Sequence, residues 1–278
     1  MIASIHHIAL ATADLDAAVR DHAAMFGRPP DGEFAADGTR QAWFSTANIR
    51  YALIAPDGAG GQGEAVRKRL ADAGEGLWSI AWRVDDLDRT ADLFARRGLA
   101  PGDTQDLTIH ANGGAQSVHA RALSAEATHG VRSVLVAAPE EPAPAPAAAA
   151  PHRLDHVVIR TADPERAVAL YGGRLGLDLR LDRSSPQWGV RFLFFRAGDL
   201  VVEIVHELKA GVSQKPDFFG GLSWGVRDIE ATRARLLAAG RNLSEVRKGR
   251  KPGSQVCTLR DGTSNVPTIL LGQERRAE

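Results

Sequence analysis

The chain has a single cysteine, Cys257, so no disulfide can close within it. That shortage excludes the cysteine-stapled secreted scaffolds and every zinc site built on paired cysteines. A charge excess of either sign is missing too. The 34 Lys and Arg balance the 34 Asp and Glu, which leaves no electrostatic footprint for nucleic acid or for an anionic membrane. No run approaches the ~20 apolar residues that span a bilayer, and Met1-Ile2-Ala3-Ser4-Ile5 lacks the basic and apolar stretches of a secretory leader. Phosphate-cradling glycine loops, dinucleotide fingerprints and nucleophile elbows are absent as well. The expectation is a cytoplasmic protein, monomer or homodimer, whose partner is a small molecule.

What is present is an ordinary globular composition, 44% hydrophobic and 24% charged over 278 residues, a length at which one core gives way to two. A boundary is legible in the Pro- and Ala-rich stretch from Pro139 to Pro151, which disfavours helix and suits an extended, semi-rigid tether. The expected domains are 1–138 and 152–278, with 139–151 as a spacer.

The two sides repeat each other. His7, Thr12, Ala13, Asp14 and Gly27 recur 149 residues later as His156, Thr161, Ala162, Asp163 and Gly176. Each side also repeats internally: Ile80, Asp86 and Asp88 follow Ile8, Asp14 and Asp16 at a spacing of 72. The two late units match at a spacing of 142, Trp82, Val84, Asp86 and Gly98 against Trp224, Val226, Asp228 and Gly240. Four units therefore begin near residues 5, 78, 154 and 220. Within one unit, a short apolar run such as Val157-Val158-Ile159 predicts a strand, and an Asp then stands where a helix N-cap belongs. Ala167, Leu170 and Leu175 follow at helical spacing before Gly176. The runs Val190–Phe195 and Leu200–Val205, joined at Ala197-Gly198-Asp199, predict further strands. Strand, helix, strands is a βαβββ unit.

The openings Ile5-His6-His7-Ile8 and Leu154-Asp155-His156-Val157, with Leu175-Gly176-Leu177 and Leu200-Val201-Val202-Glu203, resemble the vicinal oxygen chelate superfamily of glyoxalases, bleomycin-resistance proteins and extradiol dioxygenases. The resemblance implies an α+β fold in which four βαβββ units form two half-open mixed-sheet barrels. It implies lyase, isomerase or ring-opening chemistry on a substrate with vicinal oxygens, with a divalent metal (iron, manganese, nickel or zinc) held by residues of the first and last strands of each unit. The repeat places those positions at His7, Ser79, His156 and Gly221 on first strands, and at Ala52, Val134, Glu203 and Thr268 on last strands. Only His7, His156 and Glu203 carry the family's ligand types. His156 and Glu203 thus fit three readings: a metal centre, a metal-free acid–base or ligand-binding dyad, or a structural pair. His7, facing Ala52, fits a ligand less well than a satisfied pocket histidine. A metal-free sequestering protein is the rival to an enzyme, and no cofactor at all is as defensible as a metal.

Three further features bear on a ligand. Arg247-Lys248-Gly249-Arg250-Lys251 is a basic loop that suits either an anionic substrate group or plain solvation, with Arg247 and Lys251 as the candidate contacts. Trp188, Phe192, Phe194, Phe195, Phe218, Phe219 and Trp224 make the second half the more aromatic, and Trp224 is a candidate wall of a substrate cavity. His206 and Glu207 are read as lying just past a strand end, where they fit a solvated end better than the source of a missing ligand. Cys257 reads as a small buried hydrophobe.

Overall fold

The computed structural model describes residues 1–111, 113–139 and 146–273. The first half runs β1 (Ile2–Ala11), α1 (Leu15–Phe26), β2 (Gly32–Ala36), β3 (Thr39–Ser45), β4 (Arg50–Pro56), α2 (Gly61–Ala73), β5 (Gly76–Val84), α3 (Leu87–Arg96), β6 (Gln105–Ala111), β7 (Gly114–Ala122) and β8 (Ser133–Val136). The second runs β9 (Pro151–Arg160), α4 (Pro164–Ala167), β10 (Asp178–Ser185), β11 (Val190–Ala197), β12 (Leu200–Glu207), β13 (Phe218–Val226), α5 (Ile229–Ala238), β14 (Arg247–Lys248), β15 (Ser254–Leu259) and β16 (Thr268–Gln273). Hydrogen bonding makes two eight-stranded sheets, ordered β2-β3-β4-β1-β5-β8-β7-β6 and β10-β11-β12-β9-β13-β16-β15-β14. Both are mixed: β5 with β8, β9 with β12 and β13 with β16 are parallel, while β3 with β4 and β11 with β12 are antiparallel. The α+β class and the four βαβββ units hold.

Each unit turns from strand to helix by the same device. The carboxylates of Asp14, Asp86, Asp163 and Asp228 accept from the backbone N–H of Ala17, Arg89, Glu165 with Arg166, and Ala231. Each bond satisfies a donor that the first helical turn leaves unpaired. Asp228→Ala is expected to cost about 1 kcal/mol and to lower the thermal midpoint by about 2–4 °C, as read by circular dichroism. No change in midpoint would mean that this cap is redundant with packing.

The third unit departs from the expected helix. After one turn of α4 the chain widens into a π-helix, Val168–Arg174. The adjacent Gly172 and Gly173 bring no β-carbon to the wider turn and disfavour an ordinary α-helix. The widened turn still buries Ala167, Leu170, Tyr171 and Leu175.

Packing follows a different grouping from hydrogen bonding. The chain packs as two compact units, one from Met1–Ile8, Trp78–Glu141 and His156–Gly220, the other from Ala9–Leu77, Pro142–Asp155 and Gly221–Glu278. In the first, Arg97 donates to the Arg174 carbonyl at 3.0 Å and the Asp217 N–H donates to the His129 carbonyl at 2.7 Å. In the second, the Arg235 guanidinium donates to the carbonyls of Ala24, Met25 and Ala149 at 2.6–2.8 Å, closing the open C-terminus of α1. Each compact unit thus joins one βαβββ unit from either half. Residues 140–145 of the expected tether lie outside the described residues. Its far end is not a bare spacer: Ala150 is buried, and Pro151 already begins β9.

Candidate functional site

Cross-strand register in the third unit sorts side chains onto two faces, because paired residues share a face and alternate along each strand. One face is core. Val157, Ile159, Val202, Ile204, Leu193 and Phe195 are all at most 1% exposed, and Tyr171 packs on Phe195 at 5.7 Å. The other face carries the chemistry in three rows. His156, Val201 and Arg196 form the first; Val158, Glu203, Phe194 and Leu181 the second; Arg160, Val205, Phe192 and Arg183 the third.

At the centre of this face His156 Nε2 lies 3.2 Å from Glu203 Oε2, with side chains 22% and 12% exposed. Burying a carboxylate this deeply is costly without a polar partner, and the imidazole supplies one. Aromatic rings continue from the pair in edge-on contacts, Phe194 to Phe192 at 6.2 Å and Phe192 to Trp188 at 6.1 Å. Leu181 and Trp188 are open to solvent, as is Phe218 on β13. Arg160 pairs with Glu207 at 2.7 Å, Arg196 donates to the Gly198 carbonyl, and Arg183 is exposed. The arginines at these positions and the exposed Leu181 were not singled out in the sequence; strand register is the signal that finds them.

The other expected residues fall elsewhere. His7 is buried, and its Nδ1 lies 2.8 Å from that of His6. That hydrogen bond requires one ring to bear the proton at Nδ1 and the other to leave Nδ1 bare. Trp224 is 1% exposed, edge-on to Phe26 at 5.1 Å and to Tyr51 at 5.7 Å in the second compact unit, where core packing accounts for it. Arg247 begins β14 rather than lying on a loop and pairs with Val256, while Lys251 lies in the turn that follows; both are exposed in that same unit. His206 and Glu207 belong to β12 rather than lying past its end; His206 is buried with Nδ1 3.2 Å from the Thr161 carbonyl. Cys257 is fully buried, its thiol donates to Ser244 O at 3.2 Å, and burial pushes its pKa up, as an inert small hydrophobe requires.

One expected ligand position needs correcting. In the third unit Glu203 pairs with Val158, two residues after His156; two after Gly221 stands Ser223, whose partner is Ile269. A one-residue slip turns a side chain to the other face, so Ile269 rather than Thr268 occupies the fourth position. The Thr268 hydroxyl instead donates to Val266 O, just as Ser133 donates to Val131 O. Gly221 offers no donor, and a β-carbon there would lie 2.4 Å from Pro267 O. Two donors, His156 and Glu203, fall short of the about three protein ligands a catalytic metal centre takes. No cluster of three His, Cys, Asp or Glu with metal-holding geometry occurs among the described residues. The donor set does not fit a resident catalytic metal.

A model of the Glyoxalase/Bleomycin resistance protein/Dioxygenase superfamily matches residues 6–114 and 155–258. The chain belongs to that superfamily. An ethylmalonyl-CoA/methylmalonyl-CoA epimerase from Cereibacter sphaeroides is 34% identical over 95 residues, covering 32% of this chain and 71% of the relative. A 4-hydroxymandelate synthase variant from Streptomyces coelicolor aligns over 100% of this chain and 95% of its own, with TM-score 0.70 and 15% identity. The Mn(II)-bound glyoxalase from Novosphingobium aromaticivorans aligns over 100% and 83%, with TM-score 0.67 and 13% identity. At those identities the two structures share the fold. Among the described residues, no helix is long and apolar enough to cross a membrane.

Proposed function

We propose that this member of the superfamily is a small-molecule enzyme of the isomerase or lyase kind, working by proton transfer on the open face of the third unit. The observation that carries this reading is the His156–Glu203 pair at 3.2 Å, set among Val158, Val201, Phe194 and Leu181. Glu203 is the general base that takes a proton from carbon beside a carbonyl. His156 holds the carboxylate in place and, in its protonated form, faces the developing enolate oxygen. The apolar rows receive the body of the substrate, and an anionic group suits the arginines of the outer rows. The Cereibacter sphaeroides relative supports proton transfer, since epimerisation inverts a carbon centre and removal and return of a proton achieves that.

Methylmalonyl-CoA, 2-oxo acids and 2-hydroxy ketones incubated with the protein in deuterium oxide test this. Mass spectrometry is expected to show enzyme-dependent deuterium uptake by one class, slowed about 10²–10⁴-fold by Glu203→Gln and unaffected by dialysis against a chelator. Equal uptake with wild type and Glu203→Gln across the set would defeat the proposal. The exposed Trp188 and Phe218, 42% and 59% open, favour a second reading as a sequestering protein. That reading gains if ligands quench tryptophan fluorescence without any turnover.

A further inference from the structure

Charge pairing in the third unit leaves one group over. Every carboxylate of β10, β11 and β12 is held within the chain. Arg180 holds Asp178 at 3.0 Å, and two nitrogens of Arg191 hold Asp182 at 2.7 and 2.8 Å. His156 holds Glu203, and Arg160 holds Glu207. The arginines of those strands are engaged as well, Arg196 on the Gly198 carbonyl, with one exception. Arg183, exposed at the outer end of the third row, has no side-chain hydrogen bond or ion pair among the described residues. It stands opposite Phe192 in the β10–β11 ladder, and Trp188, between the two strands, lies edge-on to Phe192 at 6.1 Å. Trp188 is 42% exposed, whereas Trp43, Trp78, Trp82 and Trp224 are at most 7%.

The order of groups along this face sets the order of groups in a ligand. From Glu203 the register passes to Phe194 on β11, along that strand to Phe192, and across to Arg183 on β10. Two strands at ~4.8 Å and two residues at ~3.3 Å put the α-carbons of Glu203 and Arg183 roughly 12 Å apart. Between them lie aromatic side chains and Leu181, and nothing charged. We infer that Arg183 receives a carboxylate at the far end of the substrate. The substrate class is then a carbonyl compound whose reacting carbon and carboxylate are separated by an apolar body of about the length of an aromatic ring and its links. This rests on the reading of the open face as the substrate site. One guanidinium balances one negative charge, which favours a carboxylate over a phosphate carrying close to two. Arg160, at the other end of the same row, is already occupied by Glu207, so the face offers one such position.

The test compares two unreactive probes of one shape, biphenyl-4-carboxylate and its neutral amide, on the full chain. Quenching of the exposed Trp188 reports binding. Wild type is expected to bind the carboxylate at least about tenfold more tightly than the amide, the worth of one charge-assisted hydrogen bond. Arg183→Gln is expected to erase that preference while leaving amide binding as it was. Arg183→Lys should restore part of it, because an ammonium keeps the charge and loses the fork. Equal binding of the two probes by wild type would overturn the inference. So would a preference that survives Arg183→Gln, which would put the carboxylate on protonated His156 instead. The preference is read without turnover and so stands apart from the deuterium experiment. Uptake without the preference defeats this assignment of Arg183 alone; the preference without uptake defeats the proton-transfer reading and leaves the carboxylate position standing. Since Arg183 is exposed, an unchanged thermal midpoint is expected for both variants, which keeps loss of fold out of the comparison.

Discussion

Asp217→Ala is expected to lower the free energy of unfolding by about 3–5 kcal/mol, read from urea midpoints. The carboxylate side chain is fully buried, and its Oδ1 accepts from both Thr161 and Arg166. Removing it leaves a largely buried guanidinium facing an empty place, and an uncompensated charge costs far more than the pair contributes in its own right. The double variant Arg166→Ala with Asp217→Ala should therefore be more stable than Asp217→Ala alone. Arg166 also donates to the Lys215 carbonyl at 2.8 Å, so this recovery is incomplete. A single-variant cost below about 1 kcal/mol would place the pair with exposed salt bridges and contradict its burial.

His22 gives the second large effect, through pH. It is buried on α1 against Phe44 and Tyr51, and its Nδ1 lies 2.8 Å from Ala18 O. Burial holds its pKa down at about 4, against 6.5 in the unfolded chain; the Ala18 hydrogen bond and Asp21 oppose that lowering only in part. Between those values the unfolded chain binds the proton and the folded chain does not. The contribution to stability is therefore complete above pH 6.5 and is lost as the pH falls towards 4, about 3 kcal/mol in all. Urea denaturation at pH 7.5 and pH 5 should show wild type losing about 2 kcal/mol more than His22→Leu over that interval. Parallel pH dependences for the two would show that His22 stays neutral in both states or is charged in both.

The strand-to-helix turns were legible because they rest on local chemistry: four Asp residues at matched spacing can hardly do anything but cap. The pair His156 and Glu203 was legible for a related reason, since the 149-residue repeat marks the first and strand alternation limits the second to two faces. Three features were not legible. The π-helix after Ala167 keeps the apolar spacing of an α-helix, so hydrophobic periodicity does not separate the two. The substitution of Ile269 for Thr268 is a slip of one residue, fixed by the β13–β16 ladder and hidden by the unequal turns before the last strand. The core role of Trp224 depends on Phe26 and Tyr51, residues of the other half, and a two-residue strand period carries no information about a partner so remote in sequence.

That remoteness has a kinetic consequence for a chain that leaves the ribosome N-terminus first. The Ala24 carbonyl waits for Arg235, 211 residues downstream. At about 5–20 residues per second, synthesis of that interval takes roughly 10–40 seconds. For that time Phe26 and Tyr51 lack the indole of Trp224, and a nascent first half presents an unfinished aromatic edge. Chaperone capture and aggregation of truncated chains should therefore concentrate on products ending before residue 224, and release should coincide with emergence of α5.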